Sequence, residues 1–271
     1  MIRTVIVGAG GRMGRVLIAL TLQDPALKLV GAVEAAGSPL QGQDAGGVAG
    51  VPACGVRITA NLAELLRGAD GLIDFTVPEN TRETVRAGAA AGVSMVIGTT
   101  GLTGDDRAQM AALARDGARL FVAPNMSIGV NLLFHLCGKV ANILGPNYDI
   151  EVVEMHHRRK QDAPSGTAVR LAEVLAAATG RSYADDVRHG RHGIVGARTA
   201  REIGMHALRG GDVVGDHTVV FATDGERVEL THKASSRETF ANGALRALKF
   251  MATAAPGRVY DMQDVLGLRE A

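Results

Sequence analysis

Apolar and polar positions follow one rhythm through the first 125 residues and another afterwards. In the first part, short unbroken apolar runs at 4–7, 27–33, 71–75, 93–97 and 119–122 alternate with helix-spaced stretches at 12–22, 62–67, 79–91 and 105–116. An unbroken run is the signature of a strand buried on both faces, where an alternating run would mark a half-exposed one. Runs of this kind alternating with helices predict a doubly wound parallel sheet with helices on both sides, an α/β arrangement of Rossmann type over residues 1–125. Asn61 is the expected cap of the helix at 62–67. Beyond Asn125 the pattern predicts a second, α+β domain over 126–237. An apolar helix at 128–144 ends at Gly145-Pro146, a strand follows at 149–156, and a helix runs over 165–178 between the cap Ser165 and the stop Gly180. Residues 201–233 are strand-like, including 216–222 and 227–231 around the turn Asp224-Gly225. A closing helix at 240–253 belongs to a segment, 238–271, expected to return to the first domain. Residues 181–201, rich in Gly, Arg and His, are expected to form a loop or a poorly ordered stretch.

Composition narrows the function classes. The chain has 271 residues and a formal net charge of +1, so no global field favours nucleic acid or a membrane surface, and anion binding must come from local clusters. No uninterrupted apolar run reaches the roughly 18 residues of a membrane span, and no signal-type segment opens the sequence. The two cysteines, Cys54 and Cys137, lie far apart without CxxC spacing. Neither a disulfide framework nor a metal site is expected, and a reduced, cytoplasmic setting is the default. Aromatic residues make up only 3 %, too few for a base-stacking surface.

Two stretches carry candidate chemistry. Gly8-Ala9-Gly10-Gly11-Arg12-Met13-Gly14 lies between the first strand and helix. Glycines there let backbone N–H groups approach a pyrophosphate, and the helix N-terminus adds partial positive charge. The match to GxGxxG is imperfect, with Met13 at the third position, and a bland strand-to-helix turn is the competing reading. The next strand ends at Glu34, where a carboxylate would meet the adenosine ribose hydroxyls. Ala35 and Ala36 supply no cation for a 2′-phosphate, so the local charge favours NADH within an NADH and/or NADPH requirement. Phe75-Thr76-Val77, Gly98-Thr99-Thr100-Gly101 and Ala123-Pro124-Asn125-Met126 follow later strands and are expected to line the nicotinamide half of the crevice.

The second stretch is EMHHRRKQDAPSGTA at 154–168. If the strand continues past His156, period two sends His156 and His157 to opposite faces, so only one faces a given pocket. A histidine titrates near neutral pH and can deliver a proton in a transition state. Lys160 can hold a carboxylate or assist that donor, and the helix start at Ser165-Gly166-Thr167 offers backbone N–H groups to a second one. Two anion grips suit a small dicarboxylate. Arg237, just before the last helix, is a third cation, equally readable as structural.

At this point the chain resembles the 4-hydroxy-tetrahydrodipicolinate reductase (dihydrodipicolinate reductase) family of lysine biosynthesis. The resemblance rests on GAGGRMG at 8–14, DFT at 74–76, GTTG at 98–101, APNMSIGVN at 123–131, the block at 154–168, and HKASSRETFANGA at 232–244. It implies a cyclic dicarboxylate imine as substrate, reduced in the diaminopimelate route by hydride at C4 and a proton at C3 from His156. It implies Lys160 as a second proton donor or anchor, and His157, Gly166 and Thr167 as carboxylate ligands. Gly8 to Met13, Glu34, Gly98 to Thr100 and Ala123 to Met126 would bind the cofactor. A homotetramer built through the second domain, with no metal, is also implied. Some members carry arginine directly after the ribose-binding glutamate; Ala35 stands there here. Two other readings are another two-domain dehydrogenase, acting on an amino acid or semialdehyde, and a non-enzymatic dinucleotide sensor. The first, in its aldehyde-oxidising form, needs a cysteine nucleophile with a base. The second needs a basic DNA-reading helix or a partner patch.

Overall fold

A computed structural model describes residues 1–269. In chain order the first elements are β1 (Ile2–Val7), α1 (Arg12–Gln23), β2 (Leu27–Val33), α2 (Ala45–Ala49), β3 (Ile58–Thr59), α3 (Leu62–Leu66), β4 (Gly71–Asp74), α4 (Pro78–Ala91), β5 (Ser94–Ile97), α5 (Gly104–Arg115) and β6 (Arg119–Val122). They are followed by α6 (Ile128–Leu144), β7 (Asp149–His156), α7 (Gly166–Ala178), α8 (Tyr183–Asp186), β8 (Val187–His189), β9 (Ile203–Arg209), β10 (Gly215–Thr223) and β11 (Glu226–Ala234). The last are α9 (Glu238–Met251), β12 (Val259–Tyr260) and α10 (Met262–Val265). The described chain divides into two units, residues 1–128 with 238–269, and residues 129–237; the last two residues of the segment 238–271 lie outside the described residues.

The first unit is a seven-stranded parallel sheet in the order β12-β6-β5-β4-β1-β2-β3. Successive residues of one strand serve opposite faces, which explains the unbroken apolar runs. Ile6, Ile73, Val96 and Phe121 pack with Leu17 and Ile18 of α1 and Leu245 and Leu248 of α9. Their strand neighbours Val5, Leu72, Met95 and Leu120 pack with Leu66 of α3, Val85 of α4 and Met110 of α5. Asn61 caps α3 by accepting from the Glu64 N–H, and Thr103 with Asp106 forms a capping box on α5. The elements α2, β3, β12 and α10 are additions to the sequence reading. Each spans two to five residues, too short to declare a period.

The second unit is a five-stranded mixed sheet, β11-β10-β7-β9-β8. β7 alternates outward and buried residues along its length. Its buried Ile150 and Val152 join Val219 and Phe221 of β10, Ile203 and Met205 of β9, Phe134 and Cys137 of α6, and Leu171 and Leu175 of α7 in one core. The stretch 128–147 is long and apolar enough to cross a membrane, which the count of uninterrupted apolar residues had missed. Polar Asn131, His135 and Lys139 interrupt it, and its side bearing Val130, Leu133, Phe134 and Cys137 packs into this core. The segment 181–201, expected as a loop, contains α8 and the edge strand β8. Its remainder is tied to β7 and β9: Arg191 and Arg198 both reach Glu151 Oε1, at 2.7 and 3.0 Å, and Arg191 also pairs with Glu202. Local composition showed the glycines and charges of this segment but not the carboxylates that satisfy them.

Candidate active site

The first unit presents the glycine turn. β1 is followed by Gly8, whose φ of +80° lies in the left-handed region that favours glycine. The Gly8 and Ala9 N–H groups both donate to the Val33 carbonyl at 2.9 Å, which locks the turn to the end of β2. A Cβ on Gly14 would lie 2.0 Å from the Gly8 carbonyl oxygen, so α1 can seat against the turn only with glycine there. The Gly11 N–H donates to the same carbonyl at 3.0 Å. The turn thus uses Gly8 for its left-handed φ and Gly14 for the close approach of α1, while a Cβ on Gly10 would meet Leu40 at 2.3 Å. Gly14 supplies the close helix packing that the GxGxxG template assigns to its last glycine, one residue later than that template expects.

Glu34 sits beside this turn. Its carboxylate accepts from the Gly10 N–H at 2.7 Å and the Ala35 N–H at 3.0 Å. The following loop is held by Gln41, whose amide donates to the Glu34 and Ala35 carbonyls, both at 2.9 Å. A groove of about 400 Å³ results, lined by Gly8, Gly10, Gly11, Glu34 and Phe75, and also by Ser38, Leu40 and Thr76. Ser38 and Leu40 come from a loop that the sequence reading did not single out. Arg12 is exposed at the start of α1, whereas Ala9 is fully buried and Met13 half-buried against the core.

The loops after β4 and β5 are joined beneath this surface. Asp74 is fully buried, and its carboxylate accepts from the Thr76 N–H (2.8 Å), the Thr76 hydroxyl (2.6 Å) and the Thr81 hydroxyl (2.9 Å). Burial raises its pKa, and these donors oppose the rise. Thr81 shares a 2.7 Å hydrogen bond with Thr99, so the Thr99 side chain belongs to this buried network and only its backbone can meet a ligand. A Cβ on Gly98 would strike the Phe75 ring at 2.4 Å. Thr100 and Pro124 are exposed and Asn125 half-buried, while the Ala123 and Met126 side chains are core residues that leave only their backbone for binding.

The second unit presents the histidine block. β7 ends at His156, so the condition for placing His157 on the opposite face does not hold: His157 begins the turn that follows, with its carbonyl accepting from the Lys160 N–H at 3.1 Å. Its Nδ1 is buried without a hydrogen-bond partner. His156 is 8 % exposed, and its Nδ1 lies 2.6 Å from Glu154 Oε2. Arg209 grips Glu154 with both terminal nitrogens, at 2.8 and 2.9 Å. The Ser165 N–H donates to Glu154 Oε1 at 3.0 Å. His217 stacks edge-on against His156 with ring centroids 5.2 Å apart, and its Nε2 lies 3.0 Å from the Ser165 hydroxyl. Burial pushes the His217 pKa down to about 3 and also lowers that of His156, against the pull of Glu154.

Lys160 pairs with Asp162 at 2.9 Å. The Ser165 hydroxyl caps α7 by accepting from the Ala168 N–H at 3.1 Å, and its own N–H is already given to Glu154. Ser165 thus shapes the helix start, and the residues it sets forward are exposed Gly166 and half-buried Thr167. Arg237 is half-buried at the end of this unit, with no ion pair among the described residues. Glu154, Arg209 and His217 escaped the sequence reading as site residues. One signal was available, since Glu154 and His156 are two apart on a strand and share a face. Among the described residues no group of three or more His, Cys, Asp or Glu side chains could hold a metal ion.

Comparison with known proteins decides the ancestry of this arrangement. Residues 2–126 match the profile of the dihydrodipicolinate reductase N-terminus, and residues 129–266 that of its C-terminus. The chain belongs to the dihydrodipicolinate reductase family. It is 54 % identical to the 4-hydroxy-tetrahydrodipicolinate reductase of Anaeromyxobacter dehalogenans over 99 % of both chains. It is 47 % identical to that of Methanothermobacter thermautotrophicus, over 99 % of this chain and all of the relative. A solved dipicolinate-bound dihydrodipicolinate reductase from Paenisporosarcina sp. TG-14 superposes with a TM-score of 0.78 at 26 % identity, covering 97 % of this chain and 98 % of that one. An amine dehydrogenase from Mycobacterium smegmatis, at 17 % identity and a TM-score of 0.60, shares the fold, with 95 % of this chain and 94 % of that one covered. As a member of this reductase family the chain is an oxidoreductase with a dinucleotide-binding Rossmann domain, in keeping with an NAD(P)H requirement.

Proposed function

We propose that this protein reduces 4-hydroxy-tetrahydrodipicolinate to tetrahydrodipicolinate in the diaminopimelate route to lysine, with NADH as the preferred reductant. The observation that carries the reading is the meeting of His156, Arg209 and the start of α7 around one buried carboxylate, with the Lys160 turn following directly on His156, in a chain whose other unit holds a glycine turn facing Glu34. The first unit is the cofactor module; the second binds substrate and carries the oligomer contacts.

The groove at the glycine turn fits a dinucleotide. Gly8 and Gly14 let the start of α1 seat closely against the turn, which brings the helix N-terminus to where a pyrophosphate would lie, and the Glu34 carboxylate, now spent on the Gly10 and Ala35 N–H groups, is placed to accept from ribose hydroxyls. The bound dihydronicotinamide supplies a hydride. NADH is favoured because Glu34 is followed by Ala35 and Ala36, and no Lys or Arg is among the residues lining the groove.

On the substrate side, the Gly166 and Thr167 N–H groups at the helix start, with His157, hold one carboxylate; Lys160 anchors the other, assisted by Arg237. Once the 4-hydroxyl has left as water, the conjugated ring takes the hydride at C4 and His156 gives its proton to C3. An aldehyde-oxidising alternative lacks support: Cys137 is buried in α6, and burial pushes its thiol up to about 12. The resemblance to the family supports a homotetramer, and half-buried Val153, Met155 and Val220 on the sheet face away from α6 and α7 suit a subunit contact.

The test is steady-state oxidation of NADH and of NADPH with freshly generated substrate. Turnover should require the dicarboxylate imine and be more efficient with NADH. In His156→Ala, kcat should fall by roughly two to four orders of magnitude with dinucleotide affinity nearly intact. Lys160→Ala should raise the substrate KM and slow turnover. Undiminished turnover in His156→Ala overturns the assignment of the acid.

A further inference from the structure

We propose that Glu154, charge-balanced by Arg209, is a positioning residue for the reaction: it fixes the His156 imidazole with a proton on Nδ1 and so makes Nε2 the atom that exchanges a proton with substrate. This rests on the reading of His156 as the acid and adds to it which nitrogen acts and what orients it.

Strand register assembles the group. Glu154 and His156 share the buried face of β7, His217 on β10 stands opposite Glu154, and Arg209 on β9 stands opposite His156. Glu154 is fully buried and accepts from four directions: His156 Nδ1, both terminal nitrogens of Arg209, and the Ser165 N–H. A buried carboxylate without partners would take up a proton. Here burial does push the Glu154 pKa up, but the Arg209 fork, His156 and the Ser165 N–H outweigh it and hold the group below its ordinary range. An ionised carboxylate only accepts, so the 2.6 Å contact requires the hydrogen to sit on Nδ1. That hydrogen remains with Glu154 whether the ring is neutral or cationic, and the proton that comes and goes belongs to Nε2.

The rest of the pocket agrees. Nε2 lies over Gly215, where a Cβ would stand 3.0 Å from it, so the absence of a side chain on β10 keeps this edge of the ring uncrowded. The charged and titratable groups facing the ring are Glu154 on its own strand, Arg209 on β9, His217 on β10 with His232 of β11 behind it, and Lys160 with its partner Asp162 in the turn. Among the described residues, only Glu154 contacts His156 directly with negative charge. Burial, Lys160 and Arg209 all disfavour the imidazolium and the net shift is downward; Glu154 is the group that opposes it.

Two measurements test this in the intact protein. The first is the ¹⁵N spectrum of His156 in the unaltered chain. Above its titration the ring should show a protonated Nδ1 and a bare Nε2; the opposite tautomer overturns the proposal with no variant needed. The second is the pH profile of kcat/KM in Glu154→Gln, a substitution close in shape that removes the charge. The limb on which activity falls as the acid deprotonates should move to lower pH by about one unit or more, so the rate loss relative to the unaltered enzyme grows by about tenfold between the acidic and basic plateaus. Glu154→Asp should recover part of the shift. A uniform loss with an unmoved limb would mark Glu154 as merely structural and sink the proposal. Failure of the underlying reading has its own signature, full turnover in His156→Ala.

Discussion

At the scale of single residues, the role proposed for His156 turns on the carboxylate that lies 2.6 Å from its Nδ1. His156, Lys160 and Glu34, the proposed site residues, stand out in the sequence by type and by position after a strand. Glu154 is just as visible in the block at 154–168, yet its role follows only when the period-two rule is applied to it and His156 rather than to the two adjacent histidines. Arg209 and His217 could not be found this way, because nothing local states which strands pair or in what register. Ala35 carries a prediction of its own. The groove beside it is lined by Glu34, Ser38 and Leu40, and none of its lining residues is Lys or Arg. Ala35→Arg supplies one in the position some relatives use. The ratio of kcat/KM for NADPH over that for NADH should rise by about tenfold, the scale of one charge-assisted hydrogen bond. An unchanged ratio would place the adenosine end of the cofactor elsewhere.

At the scale of elements, periodicity served wherever an element was long enough to have a period. The five long strands of the first sheet and helices α1, α4, α5, α6, α7 and α9 stand close to where the apolar pattern puts them. The two-residue strands β3 and β12 and the four-residue helix α8 exist because longer neighbours offer them an edge or a face, which is tertiary information. α7 is the element on which the site leans most. Ser165 caps it and touches His217 with one hydroxyl, while its N–H goes to Glu154. Ser165→Ala keeps the N–H and removes the cap, at a cost of about 1 kcal/mol, with a further penalty of similar size if the buried His217 nitrogen is left unsatisfied. Denaturant melts should show the loss. Kinetics should show the KM for substrate rising while that for NADH holds, because α7 belongs to the second unit alone. A rise in the NADH KM of equal size would contradict this division of labour.

At the scale of the whole molecule, the buried polar groups make stability depend on pH in two windows. His217 has its folded pKa depressed to about 3 by burial, well below the ordinary histidine value of 6.5. Between those values the unfolded chain binds a proton that the folded chain excludes, so stability is lost as pH falls below about 6.5. By pH 5 the loss is roughly 2 kcal/mol, and His156, shifted in the same direction, adds to it. Glu151, held at about 2 by Arg191, His206 and Arg198 against the cost of burial, and Glu154, also lowered, contribute stability that is full above the ordinary carboxylate range and disappears as pH falls toward their folded values. Urea melts from pH 8 to pH 3 should therefore show two successive declines, and His217→Gln should flatten the upper one whatever its absolute stability. The path of the chain through the two units has a consequence for its manufacture. Helix α9 lays Ala241, Ala244, Leu245 and Leu248 into the core of the first sheet, and β12 extends that sheet beside β6. On the ribosome, the portion made first must wait, its apolar flank uncovered, while the intervening portion emerges with every strand of its own sheet already in hand. The unit begun first is the last to be completed, and the interval before α9 arrives is when a nascent chain of this design most needs a chaperone.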